Sequence, residues 1–204
     1  SAFSGSGTSY TFTLTPTADG AFSASVAAGA FTDAVGNLNT ISNTLSRTAD
    51  FAAPTATLSS GAGDPMNSAI SVSVTLSESS TNFAADDVTL VNATLSNFSG
   101  SGASYSFTLT PTAGGAVSAS VSAGRFTDSA GNGNAASNTV SRTADLTAPT
   151  ATLSSAAGNP VSGAISVSVA LSESSTDFTS GDITATNATV SAFTGSAASY
   201  SFTL

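Results

Sequence analysis

The sequence predicts an all-β protein built from tandem β-sandwich domains, each about 95 residues long with seven antiparallel strands. Three observations predict this fold class. The chain repeats itself at a fixed offset, apolar and polar residues alternate through most segments, and no segment carries apolar residues at helical spacing between capping residues. Strict alternation places successive side chains on opposite faces of a strand, which is typical of a sheet that is buried on one face.

The repeat sets the size of the structural unit. The segment SAFSGSGTSYTFTLTPT begins at Ser1, SNFSGSGASYSFTLTPT begins at Ser96, and SAFTGSAASYSFTL begins at Ser191, so the offset is 95 residues both times. The same offset relates the two copies of APTATLSS, which begin at Ala53 and Ala148. A unit of this length is too long for one coil of a solenoid and suits one small β-sandwich.

A stiff linker is predicted at each boundary, where Pro54 and Pro149 fix their own φ angle and restrict the residue before them. The linkers divide the chain into three segments. Residues 1–50 are the C-terminal half of one repeat, residues 51–147 are a complete repeat, and residues 148–204 are the N-terminal half of the next. Because a half repeat exposes the apolar face that its other half would cover, each half is expected to be completed, either by flanking repeats of a longer tandem chain or by a second copy. Residues 1–14 and 191–204 are equivalent strands that would compete for one place, which favours the longer tandem chain.

The complete repeat contains seven predicted strands. In the second of them, Ile70, Val72 and Val74 fall on one face and the serines between them fall on the other. Turn-forming segments such as GAGDP, SGSG and AGGA separate the strands. The predicted strands are 55–60, 69–78, 87–91, 93–98, 103–110, 116–122 and 136–144. Seven short antiparallel strands are typical of an immunoglobulin-like sandwich, and without Cys or Trp its core must consist of Phe, Leu, Ile, Val and Ala.

These residues also resemble a known family. The string TLSESSTNFAADDVTLVNATLSNFSGSGASYSFTLTPTAGGAVSASVSAGRFTDSAGN resembles the bacterial Ig-like repeats of large surface and secreted adhesin-type proteins. The features that carry the resemblance are the SES–F–DDVT segment, the YSFTLTPT strand, the AGRFTDSAGN loop and the APT start, and it covers essentially the whole chain. It implies a spacer role and, by similarity to rigid adhesin stalks, calcium at the junctions between repeats.

The composition excludes several classes of function. The chain has 12 Asp and Glu residues, 3 Lys and Arg residues, no Cys and no His, and its formal net charge is −9. Disulfides, thiol nucleophiles, imidazole metal ligands and a Ser-His-Asp triad are therefore excluded. So few cations argue against nucleic acid or an anionic membrane as a partner, and no apolar run approaches the length of a membrane span.

The loops rich in Asp and Asn are the strongest candidates for a binding site. Asp128 and Asn132 lie in TDSAGNGN, between the sixth and seventh predicted strands. In an Ig-like sandwich this loop lies at the same end as the incoming linker, which carries Asp50, and the loop that carries Glu78 and Asp87.

We therefore expect Asp50, Asp87, Asp128 and Asn132 to converge at the junction. Their repeat equivalents are Asp33, Asn37, Asp145 and Asp182. Two interpretations remain open. Clustered carboxylate and amide oxygens suit Ca²⁺, which would neutralise the mutual repulsion of the carboxylates. Alternatively, the loop is a plain turn in which Asp and Asn side chains bond the backbone.

Glu78 and Asp87 also have the composition of a glycosidase acid–base pair, and they recur as Glu173 and Asp182. A catalytic pair duplicated in every spacer repeat is not expected, so we predict that the protein is not an enzyme. Arg142, in the last predicted strand, is expected to have a structural role, and Glu78 is a candidate partner for it.

The sequence thus predicts a non-enzymatic segment of a large extracellular bacterial protein, secreted or on the cell surface, that forms a rigid stalk or fibre for adhesion or matrix assembly. The expected partners are neighbouring repeats of the same or an identical chain, and a host or surface glycan or protein at a distal end. One alternative is a filament subunit that polymerises head to tail as half repeats complete one another. Another is a glycan- or ice-binding module that uses rows of Thr such as Thr11, Thr13, Thr15 and Thr17, although Thr also simply favours strands.

Overall fold

Strands form nearly all of the regular structure. The computed structural model describes residues 2–204, which form two compact units that divide after Leu146. The strands are β1 (Ser4–Ser6), β2 (Ser9–Thr11), β3 (Gly20–Ala24), β4 (Leu45–Ala49), β5 (Ala56–Ser59), β6 (Ile70–Ser80), β7 (Val88–Val91), β8 (Ala93–Pro111), β9 (Gly115–Val121), β10 (Val140–Ala144), β11 (Ala151–Ser154), β12 (Ser166–Ser175) and β13 (Ser191–Thr203). Short 3-10 helices span Ala85–Asp87 and Ser180–Asp182. Within residues 2–204, no helix is long and apolar enough to cross a membrane.

Residues 50–146, the central module, contain two antiparallel sheets. One sheet has the order β5–β6–β8 and the other has the order β10–β9–β7. β8 folds back on itself near Gly102, where Ser99 Oγ lies 3.2 Å from Ser106 Oγ, so it supplies two rows of the first sheet. The four-row and three-row sheets have the strand order of an immunoglobulin constant-type sandwich. The predicted fold class is confirmed.

The core of the central module lies between these sheets. Alternate residues of β6 are buried from Ile70 to Leu76, and β8 and β9 bury their own inward rows. Phe126, in the loop after β9, is only 1 % exposed, and its ring centroid lies 5.2 Å from that of Phe83. The outward rows are hydroxyl-bearing, with Ser71 of β6 opposite Thr108 of β8. This face therefore meets water without needing charged side chains.

The last strand is shorter than the sequence predicts. It begins at Val140 rather than at residue 136, because the preceding residues use their polar groups to hold other elements. The Ala135 amide donates to Pro54 O at 2.9 Å, and Ser137 Oγ accepts from the Val121 amide at 2.8 Å. These bonds tie the segment before β10 to the linker and to the end of β9.

Asn138 covers an edge of the first sheet. Its Oδ1 accepts from the Leu58 amide at 2.8 Å, and its Nδ2 donates to Leu58 O at 2.8 Å. Both bonds use main-chain groups of β5, which pairs with β6 on its other side. One carboxamide thus occupies a donor and an acceptor that an edge strand would otherwise leave free.

Arg142 stabilises the loop that follows β5. Its Nε donates to Ala62 O at 3.2 Å and its Nη2 donates to Ser60 O at 2.9 Å, while Nη1 donates to the neighbouring Ser141 O at 2.7 Å. The guanidinium therefore bonds main-chain carbonyls instead of Glu78, the partner suggested by the sequence. Its role is to hold a loop, as expected for a structural arginine.

The two incomplete repeats bury different shares of the apolar rows that the central module encloses. The N-terminal half-module (residues 2–49) contains only the pairs β1–β2 and β3–β4. In it, Phe31 is 61 % exposed, although its equivalent in the central module is the buried Phe126. The C-terminal half-module (residues 147–204) has one sheet, β11–β12–β13, with a small core around Val169 and Phe202.

Candidate functional site

The loop between β9 and β10 is organised by Asp128. Its Oδ1 accepts from the Gly131 and Asn132 amides at 2.7 and 2.9 Å, and its Oδ2 accepts from Asn132 Nδ2 at 2.8 Å. Asp33 and Asn37 make the same arrangement in the N-terminal half-module, where Asn37 Nδ2 donates to Asp33 Oδ2 at 2.9 Å. The turn in this motif therefore forms without any contribution from a junction.

Three carboxylates meet where the linker enters the central module. Carboxylate oxygens of Asp50, Glu78 and Asp128 all lie within 4.8 Å of one another. Asp50 directly follows β4, Glu78 lies near the end of β6, and Asp128 is buried in the loop after β9. Asn132 joins this acidic cluster, because its Nδ2 also donates to Asp50 O at 3.0 Å.

The electrostatics of the acidic cluster differ from one carboxyl to the next. Burial raises the pKa of Glu78, and the negative charges of Asp50 and Asp128 raise it further. Burial also raises the pKa of Asp128, but hydrogen bonds from the Asn132 side chain and from loop amides outweigh this and hold it below its ordinary value. The hydrogen bonds thus stabilise Asp128 as an anion. The negative charges of its neighbours disfavour the ionised form of Glu78 instead.

The other predicted site residues lie in different surroundings. Asp87 is the last residue of the 3-10 helix Ala85–Asp87. Its Oδ2 accepts from the amide of Ala84, the residue before the helix, at 2.8 Å, and this bond caps the N-terminus of the helix. Asp182 caps the second 3-10 helix in the same way, through the Thr179 amide at 2.8 Å. The amide of Asp145 donates to Met66 O at 2.9 Å, on the central module. The structure therefore gathers Asp50, Asp128 and Asn132, while Asp87 is turned toward its own helix.

Glu78 belongs to the acidic cluster because of its register. It continues the inward row of β6 that begins at Ile70, two residues beyond the buried Leu76. An acidic residue at the end of an inward apolar row is a signal that the sequence offers, and it recurs at Glu173 after Leu171. The sequence predicts Glu78 at this end of the sandwich but not among the ligands.

The linker is held by side chains from both of the segments that it joins. Asp19, in the N-terminal half-module, accepts from the Phe51 amide at 2.6 Å. Asn132, in the central module, donates to the carbonyl of Asp50, the preceding residue. These two bonds form a clasp around residues 50–51, and the acidic cluster lies directly beside it.

Comparison with known proteins identifies the family. A family model described as a bacterial Ig-like domain matches residues 50–144 and again residues 145–204. The chain belongs to the bacterial Ig-like domain family. Neither a curated protein nor a solved structure matched it significantly. Domains of this family are structural repeats of adhesin type, generally non-enzymatic, and often found in surface proteins.

The acidic cluster of this bacterial Ig-like protein has the donor chemistry of a hard-cation site. It offers three carboxylates, so its donor atoms are all oxygens. Oxygen-only donor sets are the kind that Ca²⁺ accepts, at distances of about 2.3–2.6 Å. Burial raises the pKa of Glu78, and the charges of Asp50 and Asp128 raise it further, so a bound cation would offset the repulsion between these carboxylates. The residues present therefore fit calcium.

Proposed function

We propose that the chain is a non-enzymatic structural segment of a large extracellular bacterial protein, secreted or attached to the cell surface, and that it forms part of a rigid stalk or fibre for adhesion or matrix assembly. Its partners are neighbouring Ig-like repeats, and the whole protein presents a distal end to a glycan or protein. The observation that carries this proposal is the clasp around residues 50–51, which is bonded by Asp19 from one side and Asn132 from the other.

A clasped linker is what a stalk requires. An unrestrained linker would let each sandwich rotate freely, and a tandem array would behave as a flexible chain. Two side-chain bonds to consecutive linker residues restrict that rotation at the cost of ordering only short side chains. Membership of a family of structural repeats supports the same role.

The stiffness of the junction is measurable with two spin labels, because the native chain has no Cys. We place one label at Ser23→Cys on β3 and another at Val91→Cys on β7, both exposed. The distance distribution is expected to be narrow and to broaden in the Asp19→Ala and Asn132→Ala variants. Asn37→Ala is the matched control, since Asn37 occupies the same place in its loop and its side chain bonds Asp33 there rather than residues 50–51. Equally broad distributions in all variants would contradict the stalk.

We further propose that Ca²⁺ occupies the acidic cluster and stiffens the junction. Asp50, Glu78 and Asp128 would supply carboxylate oxygens, and the ion would offset the repulsion among them. The thermal unfolding temperature is expected to rise with calcium and to fall on chelation. Glu78→Gln should abolish this response while leaving the Asp128 loop intact.

Asp33 provides the control for the calcium experiment. It has the same hydrogen-bonded loop as Asp128, and the acidic cluster does not include it. Asp33→Ala should therefore retain the calcium response that Glu78→Gln loses. If calcium leaves the unfolding temperature of the native chain unchanged, the acidic cluster binds no calcium and only the clasp restrains the junction.

A further inference from the structure

We propose that Asn132 is a site of spontaneous deamidation, and that its conversion to Asp or isoAsp opens the clasp around residues 50–51. The covalent step stands on the chemistry of the loop after β9, whereas its consequence for the junction rests on the proposed structural role. Asn132 and Gly133 form the one Asn-Gly pair in the sequence. This pair lies at the point where the central module holds the linker.

The reaction is intramolecular and needs only water as a co-reactant. The amide nitrogen of Gly133 attacks Cγ of Asn132, and a bond forms between these two atoms. The bond from Cγ to Nδ2 breaks, and Nδ2 leaves as ammonia together with the proton of the Gly133 amide. Water then opens the cyclic imide at either of its carbonyls, which gives Asp or isoAsp at position 132.

Gly133 favours this attack because it has no Cβ to hinder the approach of its own amide nitrogen. At the equivalent place in the N-terminal half-module, Asn37 is followed by Leu38. The fold itself does not require glycine at position 133, since its φ lies outside the left-handed region and a Cβ there would lie 3.6 Å from Gly124 Cα, an ordinary contact. Gly133 is exposed and Asn132 is half-buried, so water reaches the pair.

The atom that leaves is the atom that closes the clasp. Asn132 Nδ2 donates to Asp50 O at 3.0 Å and to Asp128 Oδ2 at 2.8 Å. A carboxylate in its place can donate to neither oxygen, and it adds a negative charge to the three carboxylates of the acidic cluster. Lost donors and added repulsion both act against holding the linker. Because the same two bonds restrain the side chain, the modification accumulates with age rather than at once.

Peptide mapping by mass spectrometry tests the site, after incubation of the full chain at mildly alkaline pH. We expect the peptide that carries Asn132 to gain the mass difference between an NH2 and an OH group, and to separate into Asp and isoAsp species. The peptide that carries Asn37 should not change. Gly133→Ala is the matched control, because it retains Asn132 and should abolish the mass increase. Isomerisation at Asp19–Gly20, the one Asp-Gly pair, does not alter the mass and so does not interfere.

The spin labels at Ser23→Cys and Val91→Cys report the effect on the junction, measured in chelator. The distance distribution should broaden during incubation in proportion to the modified fraction. It should stay narrow over the same period in the Gly133→Ala variant. Asn132→Asp supplies one of the two products directly and should give the broad distribution without incubation.

Failure of this inference is distinguishable from failure of the stalk. If the Asn132 peptide is modified no faster than the Asn37 peptide, Asn132 is not the deamidation site. If Asn132→Asp keeps the narrow distribution of the fresh native chain, deamidation does not open the clasp, and the stalk stands. A distribution that is already broad in the fresh native chain contradicts the stalk alone, because mass spectrometry measures the modification independently of the junction.

Discussion

At the residue scale, Gly100 sets the path by which β8 folds back. Its φ is +127°, and a Cβ at this position would lie 2.6 Å from Tyr105 Cα. We predict that Gly100→Ala lowers the free energy of unfolding of the central module by at least about 1–3 kcal/mol, because both the backbone angle and the close approach exclude a side chain. Chemical denaturation measures the loss.

Gly63 is the matched control for that substitution. No atom lies within 4 Å of the place its Cβ would take, and its backbone does not require glycine. Gly63→Ala should change the free energy of unfolding by no more than about 0.5 kcal/mol. Equal effects of the two substitutions would show that the close approach at Gly100 does not constrain the fold.

The raised pKa of Glu78 has a consequence for stability in the presence of chelator. Since the folded state holds this proton more tightly than the unfolded state, the stabilising contribution is complete below the ordinary Glu pKa and is lost as pH rises through the folded pKa. Glu78→Gln should therefore be more stable than the native chain at pH 7. The difference should vanish below about pH 4, where Glu78 is protonated in both states. Thermal unfolding at both pH values measures this.

Asp128 has the opposite dependence. Its pKa is lowered in the folded state, so its contribution is present above the ordinary Asp pKa and is lost as pH falls through the folded value. The free energy of unfolding of the native chain, measured in chelator, should therefore fall at the acid end of the pH range. A continuous rise in stability as the pH is lowered would contradict the hydrogen bonding at Asp128. The contributions of Glu78 and Asp128 to stability depend on pH in opposite ways, because the loop amides stabilise the anion of Asp128 and not that of Glu78.

Sequence alone predicts part of this site. The convergence of Asp50, Asp128 and Asn132 follows from strand order, because the loop after β9 and the incoming linker share one end of an Ig-like sandwich. The side chain of Asp87 could not be placed, since its role as a cap depends on a 3-10 helix that no helical period announces. Glu78 could have been placed, since it continues the inward row of β6 from Ile70 to Leu76 and lies within the predicted strand.

At the element scale, the carboxylate that holds the first linker has no counterpart at the second. The carboxylate that holds the Phe51 amide belongs to Asp19, and the repeat equivalent of Asp19 is Gly114. We predict that the Phe51 amide exchanges with deuterium at least about tenfold more slowly than the equivalent amide of Leu146. Hydrogen exchange followed by NMR resolves the two amides.

Reciprocal substitutions test the cause. Asp19→Ala should accelerate exchange at Phe51 without affecting Leu146, and Gly114→Asp should slow exchange at Leu146. The second substitution has room, because the nearest atom to a Cβ at Gly114 is Ala144 O at 3.7 Å. Unchanged exchange at Phe51 in the Asp19→Ala variant would remove this carboxylate from the clasp. The sequence shows the difference as TADG against TAGG, but only the structure shows that the Asp faces the linker.

At the scale of the whole molecule, the repeat places the same phenylalanine in a buried and in an exposed setting, so the effect of burial can be compared within one chain. Phe126 is enclosed in the central module, and Phe31 is the same residue in a half-module that leaves it exposed. Phe126→Ala should cost about 3–5 kcal/mol, which lowers the unfolding temperature of a module this size by more than about 10 °C. Phe31→Ala should leave that transition unchanged, because Phe31 is already exposed. Calorimetry of the two variants measures the contrast.

The global architecture was accessible from sequence because two independent periods agree. Alternation along β6 predicts which residues are buried, and the 95-residue offset predicts where each sandwich begins. The sequence did not predict how the edges of the sheets are formed and covered. The start of β10 at Val140 and the bonding of Asn138 to Leu58 depend on which polar groups meet across 80 residues of chain, and no local pattern carries that information.

The carboxamide of Asn138 limits strand exchange between neighbouring repeats while the chain folds. Near-identical neighbours in one polypeptide are prone to exchange strands with one another, and lysines, which commonly deter such mispairing, do not occur in this chain. A neutral side chain that occupies the rim of β5 acts only after β10 is in place, since Asn138 lies just before that strand. In the central module, the two main-chain groups of Leu58 are therefore covered only once β10 has folded, and before that they are open to pairing with another strand.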